Sequence, residues 1–229
     1  MTRGGTLSAA VVLVTGASRG LGREVARRLV DEGFTVLAGV RDPAGMKPLP
    51  GVEVLCLDVA DPASITAAAT TVQERFGRLD VLVNNAAILL DDRSDVLSLD
   101  GDLLQRTLET NCLGPLRLAQ AFAPMMARGA RIVNVSSGGG QLSVPSTWSP
   151  AYCISKTALN ALTVQLAEAL KPRGIAVNAV CPGWVRTDMG GPEAPRSLQQ
   201  GADSILWLVL KANPGLTGGF WRDGAQIPW

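Results

Sequence analysis

Residues 9–33 read A-A-V-V-L-V-T-G-A-S-R-G-L-G-R-E-V-A-R-R-L-V-D-E-G. Residues 9–14 form a short β-branched apolar run, the pattern of a strand buried on both faces. A glycine loop follows at 15–22, and Leu21, Val25 and Leu29 then recur on one helical stripe closed by Gly33. Gly16, Gly20 and Gly22 therefore stand between a strand and a helix. There, backbone N–H groups and the positive end of the helix can meet a pyrophosphate. The spacing is G-x-x-x-G-x-G rather than the commoner G-x-G-x-x-G, so it is the flanking strand and helix that carry the reading.

The same alternation runs outward through the chain. Strands are expected at 34–40, 52–57, 79–83, 131–135, 175–180 and from Phe220. Helices are expected at 62–76, begun by Asp61, at about 103–127, at about 150–170 and at 197–210. Strands alternating with helices describe one mainly seven-stranded parallel sheet covered on both faces, an α/β doubly wound fold. No linker, repeat or low-complexity block divides the 229 residues, so a single domain spanning 1–229 is expected.

Composition excludes several kinds of chemistry. There is no histidine, which removes histidine-based catalytic triads and His-containing metal sites. Cys56, Cys112, Cys153 and Cys181 lie far apart without a C-x-x-C pair, as reduced thiols of a cytosolic protein would. With 21 basic and 20 acidic side chains the net charge is +1, which offers nothing to nucleic acid or an anionic membrane. The apolar run near the N-terminus is too short to span a bilayer and leads directly into the glycine loop. A soluble, cytoplasmic protein without a metal is expected.

A second stretch carries chemistry: S-P-A-Y-C-I-S-K at 149–156. Ser149 is expected to cap a helix with Pro150 as its first residue, which puts Tyr152 in the opening turn and Lys156 one turn further on the same face. Tyr152 is the only tyrosine, and Lys156 is one of four lysines. A phenol ordinarily titrates near ~10. An adjacent ammonium and the positive helix end are both expected to favour the phenolate, and moving the pKa to ~7 takes about 4 kcal/mol. Such a phenol can pass a proton to a carbonyl oxygen.

Cofactor identity is argued from charge. The second strand ends in A-G-V-R-D, with Val40 where an acid for the ribose hydroxyls is expected and Arg41 beside it; Arg19 lies inside the glycine loop. Two guanidinium groups suit a 2′-phosphate, hence NADP(H), although Asp42 offers an alternative acid.

These motifs together resemble the short-chain dehydrogenase/reductase family over nearly the whole chain, from Val11 to about Gly224. The matches are T-G-A-S-R-G-L-G at 15–22, D-V at 58–59, N-N-A-A at 84–87 and N-C-L-G at 111–114, followed by V-S-S at 135–137, Y-C-I-S-K at 152–156 and P-G-W-V-R-T at 182–187. The resemblance implies a Rossmann-type fold in which Ser137 holds the substrate oxygen, Tyr152 donates the proton, Lys156 lowers its pKa and binds the nicotinamide ribose, and Asn111 sustains a water-linked relay. It further implies cofactor contacts from Gly16, Ser18, Arg19, Gly20, Leu21, Gly22 and Arg41, from Asp58 and Val59 at the adenine, and from Asn85 and Ala86 at the adenosine ribose. Pro182, Gly183, Val185 and Thr187 would serve the nicotinamide side.

Two departures stand out. Ala87 replaces the family's glycine, and Ser137 lies fifteen residues before Tyr152, a longer interval than is common, which leaves Ser136 as the alternative to Ser137. Leu142, Trp148, Trp184 and Met189 are expected around an apolar pocket, with Arg186 the only candidate to grip an anion. A short, glycine-rich and mobile substrate loop is expected at about 188–198. The implied activity is NADPH-dependent reduction of a ketone, aldehyde or quinone, with a pathway-specific ketoreductase or a non-catalytic NADP sensor as alternatives. A homodimer or homotetramer paired through helices at 103–127 and 152–170 is the implied assembly.

Overall fold

The computed structural model describes residues 9–92, 94–213 and 215–229. Its sheet runs in the order β3-β2-β1-β4-β5-β6-β7-β8. β1 (Val11–Thr15) lies at the centre, parallel to β2 (Thr35–Val40) on one side and to β4 (Val81–Asn84) on the other. β3 (Val52–Cys56) forms one edge, and the chain returns through α2 (Pro62–Phe76) to enter beside β1. Strand order therefore reverses between β1 and β4, and the carboxyl ends of these two strands part to leave a crevice. β5 (Arg131–Val135), β6 (Ala176–Val180) and β7 (Phe220–Arg222) continue the parallel sheet.

Alternation along each strand sends side chains into two separate cores. Leu13, Leu37, Leu82 and Ile132 face α2, α4 (Gly114–Phe122) and α5 (Pro150–Leu170), where Leu118, Phe122 and Leu170 meet them. Val12, Val14, Val36, Val83 and Val133 face α1 (Gly20–Asp31) and α6 (Leu198–Leu206), against Val25, Leu29 and Ile205. Burial on both faces is why these strands read as unbroken apolar runs.

Local chemistry sets the helix ends. The Asp61 carboxylate accepts from the Ala63 N–H at 2.9 Å, Pro62 opens α2, and Gly77 closes it with φ 66°. The expected helix over 103–127 is instead α3 (Gly101–Leu108), a π turn (Glu109–Leu113), α4 and a 3₁₀ turn (Ala123–Met125). At the start of α4, a Cβ on Gly114 would stand 2.8 Å from the Val59 carbonyl oxygen. Only glycine lets the helix approach the loop after β3 so closely.

The last expected helix ends in a π turn as well (Trp207–Lys211), and α6 opens with a capping box between Ser197 and Gln200. One strand was not expected from the sequence: β8 (Ala225–Gln226), antiparallel to β7. Asp223 and Gly224, with φ 52° and 80°, form the two-residue turn, and both adopt the positive φ that the right-handed strand twist favours in a tight hairpin. All four cysteines are free.

Replacing Gly114 by Ala is expected to destabilise the fold by about 1–3 kcal/mol, since the obstacle is backbone rather than a flexible side chain. Calorimetry should show a melting temperature several degrees lower, and an unchanged value would mean that α4 can yield at Val59.

Candidate active site

The glycine loop is bound to the neighbouring strand by one threonine and one asparagine. Thr15 Oγ1 accepts from the Asn85 and Ala86 N–H groups, each at 3.0 Å. Asn85 Nδ2 donates to the Thr15 carbonyl at 2.9 Å and to the Gly16 carbonyl at 3.3 Å. Gly16 has φ 65°, and a Cβ there would lie 2.8 Å from the Ala86 Cα. A Cβ on Gly22 would run into Asn85 Nδ2 and stand 2.7 Å from the Gly16 carbonyl oxygen. These glycines allow α1 to begin directly behind the loop. α1 itself has no side-chain cap and no acid in its first turn, and Arg19 is its N-cap residue. A helix start that is left open and unopposed by negative charge fits a phosphate group, so the chain's residues suit a dinucleotide at this place.

α5 carries Tyr152 and Lys156, both buried. The expected start at Pro150 is observed, but the expected cap is not: Ser149 makes no capping hydrogen bond, and its hydroxyl is buried without a partner. The carboxylate of Asp91 caps the helix instead, accepting from the Ala151 N–H at 2.5 Å and the Tyr152 N–H at 3.3 Å. The Lys156 ammonium donates to the Val135 carbonyl at 2.8 Å and stands 5.6 Å from the centre of the Tyr152 ring.

Ser137 and Ser136 point to different fates. Ser136 is buried and donates to Asn160 Oδ1 at 2.6 Å. Ser137 Oγ accepts from the Gly139 N–H at 3.1 Å, capping a 3₁₀ turn (Gly138–Gly140). Ser137 Oγ and the Tyr152 ring both flank Gly139, 3.5 Å and 3.9 Å from where its Cβ would be. A Cβ on Gly140 would be 2.7 Å from the Lys156 carbonyl carbon, so this turn lies directly on the helix backbone. The long interval between Ser137 and Tyr152 follows: the chain first presses the triple glycine against α5, then loops out through 141–149 before the helix begins.

Burial governs both titrating groups. It pushes the Tyr152 phenol up to about 12, against a smaller opposing pull from the Ser137 hydroxyl. It also lowers Lys156 to about 8, with the neighbouring Cys112 and Cys181 acting in the opposite sense. The sequence expectation of an acidified phenol is thus reversed in the free protein, because desolvation exceeds the help expected of the ammonium and the helix end.

Asn111 sits fully buried in the π turn. Its Nδ2 donates to the Ile88 carbonyl at 2.9 Å and to Ser155 Oγ at 3.0 Å, while its Oδ1 accepts from the Ile88 N–H at 2.9 Å. It therefore joins the loop after β4 to the turn of α5 between Tyr152 and Lys156. Ala87 has no positive φ, so a Cβ there meets no backbone strain.

The remaining expected residues follow the carboxyl ends of β1, β2, β3 and β6. Ser18 and Arg19 are exposed, Leu21 is half-buried, and Arg19 forms an ion pair with Asp188 at 2.9 Å across the crevice. Arg41 is exposed just after β2, whereas the Asp42 carboxylate folds back against the Gly45 turn. Asp58 Oδ1 accepts from the Ala60 N–H at 3.0 Å, and Val59 is buried beneath α4. Pro182 is buried, Gly183 has φ 79°, Val185 is buried, and Thr187 comes within 3.7 Å of where a Gly20 Cβ would be.

The expected mobile loop at 188–198 is tightly self-bonded. Arg186 donates to the Ala194 and Pro195 carbonyls at 2.9 and 3.0 Å, Trp184 Nε1 donates to the Gly190 carbonyl at 2.7 Å, and Gly190 N–H donates to Thr187 Oγ1 at 3.0 Å. Both Arg186 bonds come from Nη1, which ties the exposed guanidinium to the loop through one of its nitrogens. Eight of the eleven large apolar side chains exposed among the described residues lie in the loops after β4, β5 and β6, Leu90, Leu97, Leu142, Trp148, Trp184 and Met189 among them. The Trp148 ring stands 5.7 Å from that of Tyr152.

Sequence reasoning missed two contributors. Asp91 gave no local signal, because the N–H groups it caps lie sixty residues further along. The second is the terminal segment, where the Pro228 and Trp229 carbonyls accept from Gln141 Nε2 and the Ser143 N–H at 2.8 and 3.0 Å and so pin the loop that follows Ser137.

A crevice of this kind, with a phenol and an ammonium at its side, is that of the nucleotide-dependent oxidoreductases as a class. The family model for short chain dehydrogenases matches residues 10–197, and the chain belongs to that family. It is similar to the (+)-neomenthol dehydrogenase of Arabidopsis thaliana, with 33% identity covering 94% of this chain and 96% of that one. Among solved structures it is similar to an NADPH-bound carbonyl reductase from chicken fatty liver, with TM-score 0.89 and 31% identity over 97% of this chain and all of that one. It is also similar to a short-chain dehydrogenase/reductase of Burkholderia multivorans with bound NADP, with TM-score 0.86 and 29% identity over 96% of this chain and all of that one. Among the described residues no helix is long and apolar enough to cross a membrane, and no cluster of acidic or cysteine side chains could hold a metal ion.

Because Tyr152 is the sole tyrosine, its titration can be read directly from the ultraviolet absorbance of the phenolate. The free protein is expected to develop no phenolate signal until the pH nears about 12. A transition around neutrality would show that the ammonium outweighs burial.

Proposed function

We propose that this chain reduces a neutral, apolar carbonyl compound to its alcohol with NADPH. The observation that carries the reading is the placement of Ser137, Tyr152 and Lys156 together at the edge of a crevice that opens on the uncapped start of α1. When bound, the cofactor supplies the hydride; the protein supplies position and a proton.

The backbone of 16–22 would hold the pyrophosphate, and Arg19 and Arg41 the 2′-phosphate. An exposed ion pair such as Arg19–Asp188 is worth under about 1 kcal/mol, so a phosphate can readily displace it. By family resemblance Asp58 and Val59 serve the adenine, Asn85 and Ala86 the adenosine ribose, and Pro182, Gly183, Val185 and Thr187 the nicotinamide. Tyr152 and Lys156 would hold the nicotinamide ribose. The Asn85 side chain already serves the glycine loop, so its contribution to the cofactor is to shape that loop.

Ser137 donates a hydrogen bond to the substrate oxygen, and Tyr152 gives the same oxygen its proton. A phenol kept protonated by burial starts in the state that a proton donor needs. The phenolate left behind is stabilised by the Lys156 ammonium one helical turn along. Asn111 steadies the structure behind the lysine, where protons are resupplied. The apolar rim, with Arg186 tied to backbone carbonyls, supports an uncharged substrate over a keto acid or an acyl phosphopantetheine. By the same resemblance, subunits would pair through the helical segments at about 103–127 and 152–170, as a dimer or tetramer.

NADPH oxidation against a panel of ketones, aldehydes and quinones tests the proposal. Turnover with NADPH should exceed that with NADH by about tenfold or more, a difference of about 1.4 kcal/mol. Replacing Arg41 by Ser should narrow the gap, and preference for NADH would refute the cofactor assignment. Tyr152→Phe should lower kcat by about 10²–10⁴-fold while NADPH still binds. NADPH binding without turnover of any carbonyl would instead favour a sensor.

The rate also has a predicted pH dependence. Lys156 is charged below its lowered value of about 8 and neutral above it, so carbonyl reduction should decline as the pH rises through that point. A rate that stays level up to pH ~10, the ordinary lysine range, would show that the ammonium is not needed.

A further inference from the structure

Asp91 lies in the loop after β4, is 1% exposed, and spends its carboxylate on the N–H groups of Ala151 and Tyr152. α5 has no acid of its own in its first turn, and Ser149, at the N-cap, leaves its hydroxyl unpartnered. The stretch of chain that bears Asp91 is held a second time, three residues earlier, where Ile88 exchanges two hydrogen bonds with Asn111, and Asn111 reaches Ser155. One short loop therefore grips α5 at both ends of the turn that displays Tyr152. Ordinary stabilisation of a helix end requires only a local cap. A buried carboxylate brought from sixty residues away, and bonded to the tyrosine's own N–H, fixes that residue relative to the crevice between β1 and β4.

We propose that Asp91 is the positioning residue of Tyr152, holding the first turn of α5 in register with the cofactor crevice. The inference rests on the reading of Tyr152 as proton donor. The other groups facing the phenol are Ser137 from the loop after β5, Cys153 and Lys156 from α5 itself, and Cys181 just after β6.

The pair Asp91→Asn and Asp91→Ala grades the hold, since an asparagine keeps one accepting oxygen for one of the two N–H groups, whereas alanine keeps none. With NADPH and a carbonyl that the wild type reduces, Asp91→Ala should lose kcat by about tenfold to 10²-fold, the scale of a small misplacement of a catalytic group. Its affinity for NADPH, read by fluorescence titration, should stay within about twofold, and Asp91→Asn should recover part of the lost kcat. Wild-type kcat in Asp91→Ala, measured well below its melting temperature, would overturn the proposal, as would an equal loss in Asp91→Asn.

A second measurement needs no turnover. The absorbance titration of the lone tyrosine should move to lower pH in Asp91→Ala, as burial relaxes when the first turn of α5 is loosened, and stay put in an Asp102→Asn control on the exposed start of α3. An unmoved titration in Asp91→Ala would overturn the proposal even if the reductase reading stands. A wild type inert towards every carbonyl, with the titration shifted as expected, would refute the reductase reading and leave Asp91's hold on Tyr152 established.

Discussion

The bond network joining Thr15 and Asn85 is the constraint on which the rest of the site depends. Parallel strands whose order reverses leave their carboxyl ends unconnected, and here one hydroxyl and one amide bridge the gap between β1 and β4. The bridge draws the glycine loop so close to Asn85 and Ala86 that no side chain fits at Gly16 or Gly22. That closeness keeps the start of α1 directly behind the loop, with its N–H groups facing outward. A crevice with an electropositive wall follows from a handful of hydrogen bonds at one strand end.

On the opposite wall the controlling effect is burial. Tyr152 and Lys156 are both held inside the protein, and desolvation moves each toward its neutral form. The two shifts have different consequences: a neutral phenol is ready to donate a proton, whereas a lysine near its titration point can gain or lose its charge close to physiological pH. Ser137 is brought beside the phenol by the triple glycine, which lies on the backbone of the same helix at Lys156. Three groups from two elements thus share one rigid support.

Much of this was legible from residue order. The unbroken Val and Leu runs revealed strands buried on two faces, and Asp61 marked the start of a helix over 62–76, the observed bounds of α2. The motifs that carry the family resemblance follow the carboxyl ends of successive strands, where their order in the chain put them. What stayed hidden depended on contacts distant in sequence. Ser149 has the right chemistry for a cap, but a carboxylate from another loop takes that role. The phenol's shift depends on burial, which a motif does not display. The glycine-rich segment after Thr187 reads as loose until Arg186 and Trp184 are seen bonded to its carbonyls. The π turn at Asn111 left no mark in the apolar spacing. The β7–β8 hairpin did leave one, since Asp-Gly is a strong signal for a tight turn.

That hairpin reaches further than its size suggests. The Asp223 carboxylate binds Arg196 and Ser204, while the backbone at 228–229 receives hydrogen bonds from Gln141 and Ser143. Two loops from different parts of the chain, one after β5 and one after β6, are thereby moored to the same few closing residues. Loosening these few residues would therefore release both loops together, although neither is their neighbour in sequence.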